Sequence, residues 1–387
     1  MHMPPPVHGA SMVGKYIHDS ELINGRFECH YVNLATAKNL EDVNKFRWGK
    51  VRDVLMLIRC IKDMVRTVKP DLVYFTPNAT GLPFYKEWII VKTLQTSLHR
   101  EASRRADGKL GKIVVHYHNK GVSTRQDRWI DNWLYERFFK DLKVILLAEN
   151  LYEDVEKYVA RENVMICPNG IPDVFRDENE DENLTENPDD NPVSESLPIK
   201  GETEGISLLF LSNMLEEKGV WTLLEACREL KRRGVPFHCD FVGGWKDVRE
   251  TDFNLKIIGY GMEDCVTAHG PKYGADKLSF FEKADVMVFP TYYHNECFPL
   301  VLLEGMMHGL PCISTDEGGI PAIIEDGETG YIVKAKDSQL LASKIENLAN
   351  DRPKCQNMGV AGRKRFLNNF TQEIFENRIT EILKQLV

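Results

Sequence analysis

From residue 27 onward, short apolar runs alternate with amphipathic stretches, and most of the connections between them are short. This alternation constrains the chain more than any other feature. A strand, a helix and a further strand, repeated, yield parallel sheets covered by helices. In the first half FECHYVNL, DLVYFTP, KIVVHYH, VILLAE and NVMICP read as buried strands, with amphipathic stretches over residues 51–68 and 124–142. In the second half ISLLFLS, FHCDFVGG, VTAHG, DVMVFPT and PCISTD read as strands. Residues 219–233 read as a helix, with Val220, Leu223, Leu224, Cys227 and Leu230 at helical spacing and Gly234 just past its end.

At roughly 100–200 residues per domain, 387 residues suffice for two α/β domains. The expectation is a Rossmann-like doubly wound domain over residues 1–175 and a second over 205–370. Residues 371–387 form an amphipathic helix expected to pack back on the first domain. The chain opens MHMPPPVHG where a first strand is due, so that strand is expected to be absent or to lie before the sequence given.

Charge is unevenly placed. The net charge is −9, yet residues 177–204 alone hold eleven acids and one lysine. Residues 176–204 are therefore expected to be an acidic flexible linker or insertion, too poor in apolar residues to offset the ordering entropy. Residues 86–143 hold thirteen Lys/Arg against seven Asp/Glu, a local +6 that fits a solvated helix face or an anionic membrane surface. No aromatic and basic ladder of the kind that stacks bases is evident, so nucleic acid is not an expected partner. Nine scattered cysteines without a C-x-x-C pair argue against a disulfide framework or a structural zinc, and fit a reducing cytoplasm. No run approaches the length of a spanning helix, and no signal peptide is expected.

Ligands of open α/β sheets bind beyond the carboxyl ends of the strands. The stretch DVMVFPTYYHNECFPLVLLEGMMHG places Glu296 in a loop after a strand, Pro299 at the start of a helix over residues 300–308, and Glu304 on that helix. The helix is otherwise apolar, so Glu304 needs either a hidden partner or ligand hydroxyls such as those of a ribose. Backbone N–H groups of Phe298, Leu300 and Val301, around Pro299, stand where an anion could bind.

ECFPLVLLE, with GGIP and DGETGYIV downstream, resembles the E-x7-E signature of retaining glycosyltransferase family 4, and the resemblance extends over nearly the whole chain. It implies the GT-B fold, two Rossmann-like domains facing each other across a cleft. It implies that Glu304 binds the nucleotide ribose and that Glu296 lies near the transferred sugar, with Cys297 where the family usually has glycine. FLSNMLEEKG resembles the family's diphosphate-binding stretch. Lys218 matches its lysine, but Asn213 stands where the family has arginine. PPPVHGAS resembles the glycine loop near the donor phosphates, with Gly9 permitting close approach and Ser11 capping the next helix. In VVHYHNKG, His116 and His118 share one side of a strand. The family parallel favours His118, beside Glu296, as a catalytic residue, with Asn119 and Lys120 weaker candidates. Gly243 and Gly244 end another strand, and Lys272 and Tyr273 are possible neighbours of the base. GYGMED is a poor dinucleotide fingerprint.

The resemblance implies transfer of a sugar from a nucleotide-diphosphate sugar, UDP favoured over GDP, to a glycan or lipid-linked acceptor with retention, by electrostatic stabilisation of the departing phosphate rather than by a glycosidase pair of carboxylates. No Asp-x-Asp motif stands at the expected strand end, so no divalent ion is expected, and no cofactor beyond the nucleotide sugar as co-substrate. A role in surface polysaccharide synthesis is expected, on the cytoplasmic side of a membrane. The alternatives are a nucleotide-sugar 2-epimerase of the same fold and a non-catalytic sugar-nucleotide-binding subunit.

Overall fold

A computed structural model describes residues 1–4, 9–34, 48–106, 108–175 and 205–387. The acidic stretch 176–204 and residues 5–8 lie outside the described residues. The chain divides into two compact units, Met1–Gly170 with Gln372–Val387, and Ile171–Thr371.

In the first unit, helices α1 (Gly9–Asp19), α2 (Glu21–Arg26) and α3 (Trp48–Val68) precede strand β1 (Leu72–Phe75). Then follow α4 (Gly81–Ala102), β2 (Lys112–His116), α5 (Trp129–Phe138), β3 (Lys143–Leu146) and β4 (Val164–Ile166). The four strands are parallel and lie side by side in chain order. Their inward residues, among them Val114, Val115, Val144 and Ile145, are fully buried, as a sheet covered on both faces requires.

FECHYVNL, expected to be a strand, is not one. Leu34 N–H donates to Met1 O at 3.0 Å, and the Met1 amine donates to Val32 O at 3.1 Å. These two bonds tie it to the first residues instead of to a ladder. The amphipathic stretch 124–142 holds a helix only over α5, because Arg128 at its N-cap is extended and a tight turn precedes it. Ser11 is a buried residue inside α1 rather than its cap, and Gly9 opens that helix instead of belonging to a loop before it.

The second unit runs β5 (Ile206–Leu211), α6 (Val220–Arg233), β6 (Phe237–Val242), α7 (Glu250–Gly259), β7 (Val266–Ala268), α8 (Gly274–Lys283) and β8 (Val286–Phe289). It continues with α9 (Leu300–Met307), β9 (Cys312–Thr315), α10 (Ile320–Ile323), β10 (Gly330–Val333), α11 (Ser338–Asn350) and α12 (Arg352–Asn369). Its six parallel strands are ordered β10-β9-β8-β5-β6-β7. The start and end of the unit lie together. Ile171 bridges Thr371, and buried Arg363 donates to both oxygens of Asp173 at 2.8 Å. The last helix, α13 (Gln372–Leu386), groups with the first unit, where Ser20 Oγ donates to Glu376 Oε2 at 2.6 Å.

Candidate active site

The strand order places a switch point in the second unit. From β5 the chain steps outward through β6 and β7, then returns to the other side of β5 with β8. The loops after β5 and β8 therefore leave the sheet in opposite directions, which opens a crevice at their carboxyl ends. Asn213 and Lys218 follow β5, and Glu296 follows β8.

These two loops are joined by an ion pair, Lys218 Nζ to Glu296 Oε2 at 2.5 Å. Both side chains are largely buried, and a buried ion pair persists only where further bonds satisfy it. Thr291 Oγ1 adds a long contact of 3.4 Å to the same carboxylate oxygen, and the Lys218 ammonium lies 4.4 Å from the centre of the Tyr293 ring. The backbone beneath is fixed as well. Tyr292 N–H donates to Glu217 O at 2.7 Å, and Thr315 Oγ1 on β9 donates to Thr291 O at 2.5 Å.

Two glycines allow this close meeting of loops. Gly219, at φ +86°, has no room for a side chain because a Cβ would overlap the Pro290 carbonyl. Gly318, at φ +56°, lies equally close to the Glu296 carbonyl, and Gly319 N–H donates to Cys297 O at 2.7 Å. The GGIP segment thus braces the loop that carries Glu296.

Helix α9 starts at Leu300 with Pro299 as its N-cap, so its first N–H groups have no acceptor within the helix. Phe298, just before it, is buried against Phe370. Of the two readings open for Glu304, the structure supplies a partner: the side chain is mostly buried, and Lys277 Nζ on α8 reaches Glu304 Oε1 at 2.5 Å. The apolar surface of α9 faces the core through Leu302, Leu303, Met306 and Met307, which leaves Glu304 on the flank where α8 passes. Of the two acids, Glu296 is the more deeply buried. Lys277 and Thr291 were missed from sequence. Thr291 does follow a strand end, but nothing in the spacing of Lys277 marks it as the partner of Glu304.

Asn213 is exposed, and Gly243 and Gly244 at the end of β6 lie against Ser212 and Asn213. Lys272 and the exposed Tyr273 occupy the loop before α8, with Tyr273 as its N-cap.

In the first unit His116 ends β2, buried, with Tyr74 Oη 2.7 Å from its Nδ1. Burial pushes its pKa well below the usual histidine value, so this ring is neutral. His118 stacks obliquely on it, ring centres 4.2 Å apart, and is less buried. The loop carrying His118 is held on both sides. Asn119 Oδ1 accepts the Ala79 N–H at 2.8 Å, and its Nδ2 donates to Asn78 Oδ1 at 3.1 Å. Past Lys120, the Asp154 carboxylate accepts the N–H groups of Gly121, Val122 and Ser123 at 2.9, 3.1 and 3.0 Å. Gly9 opens α1 in the same unit. Among the described residues no cluster of three or more His, Cys, Asp or Glu side chains is arranged to hold a metal.

The fold is GT-B, the two-unit parallel α/β architecture of its structural neighbours. A glycosyltransferase from Rickettsia africae superposes with a TM-score of 0.64 at 17% identity, covering 93% of this chain and 85% of that one. HepE from Anabaena, in complex with UDP, gives a TM-score of 0.65 at 17% identity over 85% and 82%. Residues 195–365 match the family model of glycosyl transferases group 1. The amylovoran biosynthesis glycosyltransferase AmsK of Erwinia amylovora is 29% identical over 185 residues, 47% of this chain and 45% of that protein. The chain spans about half the length of the curated relatives it matches.

Proposed function

We propose that this protein is a retaining, metal-independent glycosyltransferase that moves a sugar from a nucleotide-diphosphate sugar, with UDP favoured over GDP, to a glycan or lipid-linked acceptor in surface polysaccharide synthesis. The observation that carries the reading is the Lys218–Glu296 pair at 2.5 Å across the switch point, one cation and one acid held where a ligand of an open sheet binds. The AmsK and UDP-bound HepE similarities support the substrate class.

In this reading Lys218 and the α9 N-terminus, with backbone N–H groups around Phe298, Pro299 and Leu300, carry the diphosphate. Their positive charge stabilises the leaving phosphate as the glycosidic bond breaks. Asn213 contributes a hydrogen bond and no charge, so Lys218 is the principal cation. Glu304 takes the ribose hydroxyls, with Lys277 orienting its carboxylate. Glu296 lies by the transferred sugar. His118 serves the reacting sugar or acceptor from a loop fixed by Asn119 and Asp154. Gly9 belongs to the donor side, and Lys272 and Tyr273 border the base. A lipid-linked acceptor brings the protein to a membrane surface.

The test is release of nucleoside diphosphate from a panel of UDP- and GDP-sugars, with water as the default acceptor. Glu296→Gln is expected to slow release about 100-fold, the order seen for loss of a transition-state electrostatic contact, while donor affinity changes little. Unchanged release in Glu296→Gln overturns the assignment. The product anomer, read by NMR, separates retention from inversion.

A further inference from the structure

The outward faces of α4 and α5 form one exposed apolar surface in the first unit. On α5, Trp129 is 79% exposed, and Ile130 and Trp133 stand beside it at helical spacing. On α4, Leu82 is 65% exposed and Ile89 45%. The two faces are fused by specific contacts. Trp88 Nε1 donates to Leu134 O at 3.1 Å, the Trp88 and Trp133 rings stack with centres 6.3 Å apart, and Tyr85 Oη donates to Asp131 at 2.6 Å. Large side chains scattered singly over a surface need no explanation, whereas a contiguous group of tryptophans and aliphatics does.

Cations surround the patch. The Arg137 guanidinium lies 3.8 Å from the centre of the Trp133 ring, and Lys92 Nζ donates to Arg137 O at 2.6 Å. Arg128 and Lys140 are exposed at its borders. Of the nearby acids, Glu87 and Asp131 are buried and hydrogen-bonded beneath the helices, leaving Asp127, Glu136 and Asp141 as the acids at the rim. Lys92, Arg128, Arg137 and Lys140 against Asp127, Glu136 and Asp141 leave the rim with a slight excess of positive charge. Indole rings with a polar N–H, aliphatic side chains and a cationic rim are the chemistry of the interface between lipid headgroups and acyl chains. Among the described residues no helix is long and apolar enough to cross a membrane.

We propose that this α4/α5 face docks on an anionic phospholipid surface, with Trp129, Ile130, Trp133, Leu82 and Ile89 entering the interface and Lys92, Arg128, Arg137 and Lys140 meeting the phosphates. It builds on the lipid-linked acceptor reading and names the surface and the lipid charge. None of the residues assigned to donor or acceptor chemistry lies on the face.

The full chain is mixed with vesicles of phosphatidylcholine alone and with 30% phosphatidylglycerol, without donor or acceptor, and binding is read by sedimentation and by quenching of tryptophan emission with brominated lipid. Binding to the anionic vesicles is expected, at least tenfold stronger than to neutral ones and weakened by salt. Trp129→Ser with Trp133→Ser, and separately Leu82→Ser with Ile89→Ser, are expected to reduce it at least tenfold, with unfolding midpoints and nucleotide binding unchanged. Absence of binding by the wild type, or equal binding by both variants, overturns the proposal. Self-association without vesicles that both variants abolish also overturns it, by making the face a protein interface. Because no sugar transfer enters the assay, these results are independent of the glycosyltransferase reading.

Discussion

Glu296 and Glu304 show what residue spacing reveals and what it hides. Their positions after a strand and on the next helix are legible from the apolar pattern around them. Their partners, Lys218 and Lys277, come from sequence distances of 78 and 27 residues, and only the fold brings them within reach. A second cluster is half legible, because His238 and Asp240 alternate on one strand while His269 comes from 29 residues away. Asp240 Oδ1 on β6 lies 2.6 Å from His269 Nε2 and 3.1 Å from His238 Nε2. Burial alone would raise the Asp240 pKa, but the bonds from His238 and His269 outweigh it and leave the carboxyl below its usual 3.8. The bond to Asp240 in turn raises His238 above its usual 6.5. The lowered acid contributes stability above pH 3.8 that is lost as pH falls through its folded value. The raised histidine contributes stability below pH 6.5 that is lost as pH rises through its folded value. Asp240→Asn is therefore expected to cost most near pH 5, about 0.5 kcal/mol once solvent screening at the exposed His238 is allowed for, and less near pH 9. Urea denaturation at the two pH values reads the difference, and an equal cost at both contradicts the assignment.

At the scale of elements, strands were legible where they are buried on both faces, because such runs have little room for polar residues. β5 and β8 fall inside the runs expected of them, and so does β6, where the half-buried His238 and Asp240 alternate with buried residues. FECHYVNL carries a similar pattern, but its polar partners are the chain's first residues and it forms no ladder strand. β10 is legible only as part of the DGETGYIV motif, being four residues long. The loops depend on glycine more than on pattern. Gly219→Ala forces both a positive φ on an L side chain and an overlap with the Pro290 carbonyl. It is expected to destabilise by at least about 2 kcal/mol and to weaken nucleotide binding, since Lys218 is its neighbour. Asp173→Ala leaves buried Arg363 without its partner and is expected to cost about 3–5 kcal/mol. Thermal and chemical denaturation check both, and a loss under 1 kcal/mol in either contradicts the packing described.

For the whole molecule, two parallel sheets were foreseeable from length and alternation, whereas the exact division of the chain was not. The first unit ends at Gly170 rather than near residue 175, and it takes in Gln372–Val387, the stretch expected as an amphipathic helix packing back on the first domain. The second unit alone holds the switch point and both acids, so the account stands on what it binds. Calorimetric titration of the full chain with UDP, GDP and ADP tests this most directly. Saturable binding of UDP is expected, with affinity falling at least tenfold in Glu304→Ala and in Lys218→Ala while both variants remain folded. No binding of any nucleoside diphosphate, or affinity unchanged in both variants, would contradict the central claim.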